Sequence, residues 1–295
     1  MSTPQRGLWL GVLGVVIFAM TFPMTRLAVG SIDAPQLPPV FVTAGRAAVA
    51  ALLAALYLRW VGAPRPPRAL WLTLAVSALG TVVGFPLCIA LALREVPAMH
   101  AAGITGVLPL ATAVAAAWYF KQRPSLGFWV CAVLGCALVL GFAAWQGHGS
   151  LGAADGWLLL AMAFGALGYV SGAEASSRMP PQQVISWVLV GSLPLTLPVM
   201  LLNWPREPAR PSAWLGFAYV TVFSMWLGFF AWYRGLLLGG TVRVSQVQLL
   251  QPFLTLLFAV PVLGERLEPV TVLCALSAMA VVFVGRRMPV ARSAR

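Results

Sequence analysis

Apolar stretches of about 20 residues follow one another along this chain, and its few charges fall mostly in the short intervals between them. A stretch of that length makes a helix long enough to cross a hydrocarbon core. Ten can be read, at roughly 7–28, 39–60, 69–93, 97–119, 126–145, 156–177, 183–203, 213–234, 242–263 and 269–285. Together they consume nearly the whole chain and leave no room for a soluble catalytic domain. Backbone polar groups in lipid must be satisfied within the segment, so each stretch is expected as a helix. The expected fold is an all-α integral membrane protein with ten transmembrane helices. The first stretch begins at Gly7 behind a head carrying only Arg6, and is expected to stay as a helix rather than be cleaved.

The net charge of +12 would suit nucleic acid if it lay on one face. It does not. With ten spans and a cytoplasmic N-terminus, thirteen basic residues fall inside and five outside, with Arg46 left in the membrane. That is the positive-inside bias, and it puts both termini in the cytoplasm. Asp33, Glu95, Asp155, Glu207, Glu265 and Glu268 fall outside, and only Glu174 lies toward the cytoplasm. The basic balance thus reports topology, and no nucleic-acid partner is expected. Trp60, Trp71, Trp118, Trp145, Trp157, Trp204, Trp214 and Trp232 lie near span ends, as an aromatic belt would. Cys88, Cys131, Cys136 and Cys274 all sit within spans and read as small packing residues.

The chain also repeats itself. Leu108-Pro109-Leu110-Ala111-Thr112 matches Gln251-Pro252-Phe253-Leu254-Thr255 at an offset of 143, which also aligns Lys121-Gln122-Arg123 with Gly264-Glu265-Arg266. The long charged interval Arg59 to Arg68 has a counterpart in Asn203 to Ser212. Two five-helix units follow, residues 1–150 and 151–295. Five is odd, so the second unit enters the membrane inverted. Inverted repeats are a recurring architecture of secondary transporters, with the substrate near the midplane between the halves.

The proline–threonine helix, then Leu263-Gly264-Glu265-Arg266-Leu267 and a last apolar helix, resembles the EamA-type branch of the drug/metabolite transporter superfamily. Arg46 in the second span fits the same pattern, while Gln122 stands where an acid is usual. Within the family the chain is similar to bacterial amino acid and metabolite exporters, aromatic amino acid exporters included. The resemblance implies a cavity lined by spans 1, 3, 4, 6, 8 and 9, with spans 5 and 10 peripheral. The candidate substrate-binding residues are then Thr21 and Met24 on span 1, Phe85 on span 3, and His100 and Thr105 on span 4. Trp226 and Phe230 on span 8 and Ser245, Gln248 and Gln251 on span 9 complete them.

Each candidate carries two readings. Ser245, Gln248, Pro252 and Thr255 share one face of span 9, with Gln251 beside it. Such a stripe either hydrogen-bonds a polar solute or bonds helix to helix, the latter worth about 0.6–2 kcal/mol. Thr105, Pro109 and Thr112 repeat it on span 4, which favours the cavity. Pro109 and Pro252, placed mid-helix, are expected to kink the helix, as a hinge or as a fixed bend. Pro23 and Pro86 are weaker candidates of the same kind. Trp226, Phe229 or Phe230, and Tyr233 form an aromatic stripe that is packing unless the family's cavity turns it inward. His100 is an interfacial group or a proton carrier. Glu174 is a solvated helix-end residue or an ion site. Arg46 needs a partner or water at its depth. It either binds a substrate carboxylate or fixes span 2 to a neighbour, and the second is expected because span 2 lies outside the family's cavity. Small-residue pairs Gly7/Gly11, Gly80/Gly84, Gly168/Gly172 and Gly235/Gly239 permit close helix approach.

These residues point to a secondary transporter, not an enzyme. His100 and His148 lie far apart with no acidic motif, Ser171-Gly172 lacks a nucleophile-elbow spacing, and no phosphate loop ends in a lysine. No cofactor is expected. The expected substrate is a small neutral or zwitterionic metabolite, amino acids first. The alternative is efflux of cationic drugs, for which the related small multidrug exporters use a glutamate in their first helix, and span 1 has no acid. The expected surroundings are the lipid bilayer of a bacterial inner membrane, as a monomer or homodimer.

Overall fold

A computed structural model describes residues 3–105, 107–119, 123–146, 152–239, 247, 250–285 and 290–291. Among the described residues the chain is helical, apart from a two-residue pairing of Arg123–Pro124 with Val290–Ala291 and a bridge from Gly30 to Pro35. Six helical segments are long and apolar enough to cross a membrane: Gln5–Val29, Pro39–Trp60, Arg68–Glu95, Ala153–Ser176, Pro181–Leu202 and Pro211–Gly235. Further helices occupy the other predicted spans. Span 4 is two pieces, α6 (Ala98–Thr105) and α7 (Leu108–Tyr119). Span 5 is α8 (Leu126–Gln146), and α14 is Pro269–Gly285. Span 9 is described from Gln251 onward as α13 (Gln251–Leu263).

Proline chemistry sets the local breaks. Span 1 divides at Met20 into α1 (Thr3–Ala19) and α2 (Thr21–Val29). Pro23 has no N–H for the carbonyl of Ala19, four residues back. Thr255 Oγ1 on α13 donates to that carbonyl instead, at 2.9 Å. The break is therefore paid for by another helix, as hydrocarbon requires. Pro109 and Pro252, expected mid-helix, each stand as the second residue of a helical segment. A proline is well tolerated there because that N–H would lack an intrahelical partner anyway.

Span 3 runs through α4 (Trp71–Ser77), a π-helical stretch Ala78–Gly84, and α5 (Phe85–Glu95). Span 8 does the same through α11 (Pro211–Tyr219), a π stretch Val220–Leu227, and α12 (Gly228–Gly239). The N–H of Phe85 bonds the carbonyl of Gly80, and that of Gly228 bonds Phe223, each five residues back. The two bonds correspond at the offset of 143 seen in the sequence. Pro86 accounts for the first stretch through its missing donor. The second has no proline, so the widened turn is a property of the position.

Glycine lets the helices touch backbone to backbone. A Cβ on Gly80 would lie 2.6 Å from the Gly168 nitrogen, on α9 (Ala153–Ser176). One on Gly235 would lie 2.8 Å from the Gly11 nitrogen. So span 3 crosses span 6 as span 8 crosses span 1, and the small-residue pairs serve as expected. An alanine-rich face of α3 (Pro39–Trp60), with Ala47, Ala50, Ala51 and Ala54 fully buried, packs on α10 (Pro181–Leu202). Trp60, Trp71, Trp118, Trp145 and Trp204 are largely exposed, as belt residues should be. Trp232 is not; it is buried beside Gly14 and the ring of Phe18.

The Gly-Glu-Arg segment closes one end of the bundle. Gly264 ends α13 in the left-handed region, at φ 69°. That turn sends Glu265 across to α6, where its two oxygens accept the backbone N–H groups of Ala98 and Met99 at 2.8 and 2.9 Å. A carboxylate there satisfies two end donors and complements the helix dipole. Glu265→Ala should cost about 2 kcal/mol. The check is the melting temperature in detergent, and no change in it would mean the cap contributes nothing.

Candidate functional site

The breaks and π stretches converge on one cavity. It is lined by Phe18, Thr21, Phe22, Arg46, Thr81, Phe85, Pro86, Gly165, Tyr169, Ser224, Phe229 and Gln251, around a space of about 30 Å³. A space of that size holds water rather than an organic solute, so admitting a solute requires the surrounding helices to move. Both halves of the chain contribute. Thr81 and Ser224 correspond at the repeat offset, each within its π stretch. Gly165 makes room: a Cβ there would lie 3.0 Å from the Phe85 ring. A larger hollow, about 470 Å³, separates α8 from α14, but apolar side chains such as Leu134, Leu138 and Leu273 dominate its wall. It has little with which to orient a polar solute.

The central cavity pairs an aromatic shell with a short polar chain. Phe18 and Phe229 meet edge to face at 5.0 Å, Phe22 and Phe85 at 6.4 Å, and Tyr169 and Phe229 at 6.3 Å. Arg46 Nη2 donates to Ser224 Oγ at 2.9 Å, and Ser224 shares a hydrogen bond of 2.8 Å with Thr21 Oγ1. Arg46 is only 4% exposed, and its Nε has no hydrogen-bond partner. Gln251 Oε1 is likewise buried and unpartnered. Among the described residues no acidic side chain lines the space.

Of the residues singled out from sequence, Thr21, Phe85 and Gln251 line this cavity. Pro252 follows Gln251 at the start of α13, and Pro109 stands beside Leu108, whose side chain approaches Gly165. Met24 lies on α2 against Gly216 and packs on the core. Thr105 is buried and bonds the Ala102 carbonyl at 2.9 Å, away from the lining. Trp226 and Phe230 face the other way. Their rings pack on Tyr57, and Trp226 Nε1 donates to Ser186 Oγ at 3.1 Å. Phe229 is the member of that stripe that turns inward. His100 is bound to Asp155 at 2.7 Å, at the start of α9 rather than in the cavity. Glu174 accepts from the Tyr119 hydroxyl and pairs with Arg178 at 3.3 Å, so it does not reach the cavity either. Ser245 and Gln248 lie outside the described residues.

Sequence reasoning placed Arg46 in a structural role; the structure puts it in the cavity wall, so span 2 contributes where the resemblance left it out. Thr81, Ser224, Phe18, Phe22 and Tyr169 were also missed. A signal existed for two of them: hydroxyl residues at one offset of 143 within otherwise apolar spans.

An aromatic cavity with a short polar chain, enclosed by membrane-crossing helices from both halves, is an arrangement that a multi-pass membrane transporter would have. The profile of the EamA-like transporter family matches residues 5–143 and 152–285, and the chain belongs to that family. It is 44% identical over 258 residues to the uncharacterized transporter YdeK of Bacillus subtilis (strain 168), covering 87% of this chain and 88% of that one. A solved crystal structure of a protein shares the fold over 96% of this chain and 95% of its own, with a TM-score of 0.64 at 18% identity.

Proposed function

We propose that this transporter exports small neutral or zwitterionic metabolites, amino acids first and aromatic ones among them. The observation that carries the reading is the cavity's lining: aromatic rings for an organic side chain, beside Thr21, Thr81, Ser224 and Gln251 for polar groups. The mechanism is alternating access, with two inverted five-helix units, residues 1–150 and 151–295, rocking about that space. Pro109 and Pro252, at matching segment starts, are the proposed hinges. The arginine distribution supports cytoplasmic termini in a bacterial inner membrane. Export as the direction rests on the family resemblance. Efflux of organic cations fits less well, because no acid among the described residues lines the cavity and Arg46 would repel a cation.

The test is uptake of radiolabelled amino acids into proteoliposomes, with and without an imposed pH gradient. Saturable uptake of phenylalanine or another neutral amino acid is expected, above that of protein-free vesicles. Absence of uptake across the amino acid panel, alongside transport of a cationic dye, would replace this reading with the efflux one.

A further inference from the structure

We propose that Arg46 is the residue that binds a carboxylate on the transported solute; the inference rests on the reading that the central cavity is the transport site. Arg46 stands within the span Pro39–Trp60 and is 4% exposed. A guanidinium at such depth is costly unless something compensates it, and it cannot shed its charge. What the cavity wall offers is one hydroxyl, Ser224 Oγ at 2.9 Å from Nη2. Ser224 is itself engaged with Thr21 at 2.8 Å. Five N–H donors point from the guanidinium in a fixed fork, and Nε remains buried without a partner. None of the described residues lining the space is an acid.

A purely structural arginine would be expected to spend its donors on helix-end carbonyls or on a carboxylate of a neighbouring helix. Among the described residues Arg46 does neither; it donates to a serine in the π-helical wall of the same cavity. The missing counter-charge is therefore supplied by the solute. A carboxylate matches the planar fork and accepts two parallel hydrogen bonds from it. Ser224 and Thr21 then fix where the fork points. A single guanidinium amid neutral groups suits a monoanion; a phosphate ester would call for several basic residues, and among the described residues Arg46 is the one cation in the lining.

Gln251 adds the complementary group. Its Oε1 is buried, unpartnered and on the same cavity, and it can only accept. It is placed to take an N–H, as an α-ammonium would provide. Donor and acceptor in one aromatic-walled space match a zwitterion in which the carboxylate supplies the larger share of recognition.

Three ligands with one phenyl group separate the terms: 3-phenylpropionate has only the carboxylate, phenethylamine only the ammonium, and phenylalanine both. Binding of each is read by ligand-induced thermal stabilisation of the purified full-length protein, wild type, Arg46→Gln and Arg46→Lys. The wild type should bind 3-phenylpropionate and phenylalanine at least about 10-fold more tightly than phenethylamine. Arg46→Gln should weaken both carboxylates by about 10- to 100-fold, as loss of a charged hydrogen bond does, and leave phenethylamine unweakened. Arg46→Lys should fall between. Equal binding of phenethylamine and the carboxylates by the wild type overturns the proposal, and that arm stands even where a variant fails to fold. So does carboxylate affinity unchanged in Arg46→Gln, or no binding of either carboxylate. Arg46-dependent binding of 3-phenylpropionate without transport of any amino acid keeps the carboxylate site and retires the amino acid reading. Amino acid uptake indifferent to Arg46→Gln does the reverse.

Discussion

Gly80→Val should leave little folded protein to recover. A Cβ at Gly80 would lie 2.6 Å from the Gly168 nitrogen, 2.6 Å from the Phe164 carbonyl oxygen and 2.7 Å from the Gly168 Cα. All three are backbone atoms of α9, so no side chain can rotate out of the way. Span 3 must move off span 6 as a unit. Overpacking a fitted contact costs about 1–3 kcal/mol, and a rigid backbone contact sits at or above that range. The displaced segment is also the π stretch that holds Thr81 against the cavity, so any surviving protein should have lost the site as well. Gly191→Ala on α10 is the control, because a Cβ there meets nothing within 4 Å. Fluorescence-detected size exclusion and melting temperature read both variants. A monodisperse Gly80→Val protein that melts with the wild type would mean the two backbones do not touch in the membrane.

That crossing shows why part of this fold was readable in advance. Span positions follow from charge avoidance, a bulk property of hydrocarbon that needs no knowledge of neighbours. Small residues four apart mark close approach because no larger side chain fits, so Gly80 and Gly168 could be named before their contact was known. The inward face could not be read the same way. In water an apolar face points to the core, but in lipid both core-facing and lipid-facing sides are apolar, so periodicity loses its sign. The aromatic stripe of span 8 is the clearest case. Trp226, Phe229 and Phe230 lie within five residues and are all large aromatics, yet of the three Phe229 lines the cavity. The helix breaks were hidden for another reason. Pro109 and Pro252 announce an irregularity, but whether a proline kinks a continuous helix or begins a new segment depends on what satisfies the freed carbonyl. For Pro23 that partner is Thr255, 236 residues from Ala19. Arg46 was visible throughout as a charge out of place; its role turned on Ser224, which arrives from the other half of the chain.

Asp155→Ala should destabilise the protein by about 3 kcal/mol, through two losses at one side chain. Asp155 Oδ1 lies 2.7 Å from His100 Nε2, and both residues are 5% exposed. Its Oδ2 accepts the N–H of Gly152 at 2.9 Å and so closes the first turn of α9. Alanine removes the bond to a buried imidazole and exposes an end donor of α9 without its cap. The pair also joins α6 to α9 across the two halves, at the end of α6 that Glu265 caps. Asp155→Asn keeps the shape and one acceptor oxygen but puts an NH2 donor in place of the other, so about 1 kcal/mol is expected. His100→Leu strands the carboxylate with Gly152 as its remaining recorded partner and should cost more than the Asn variant. Removing both partners together, His100→Leu with Asp155→Leu, should cost less than the sum of the single changes, because neither is then left buried opposite an apolar surface. The double-mutant cycle reads this directly from unfolding in detergent. A coupling above about 1 kcal/mol is expected. Strict additivity would mean the histidine and the carboxylate do not depend on each other, and that Asp155 acts on α9 alone.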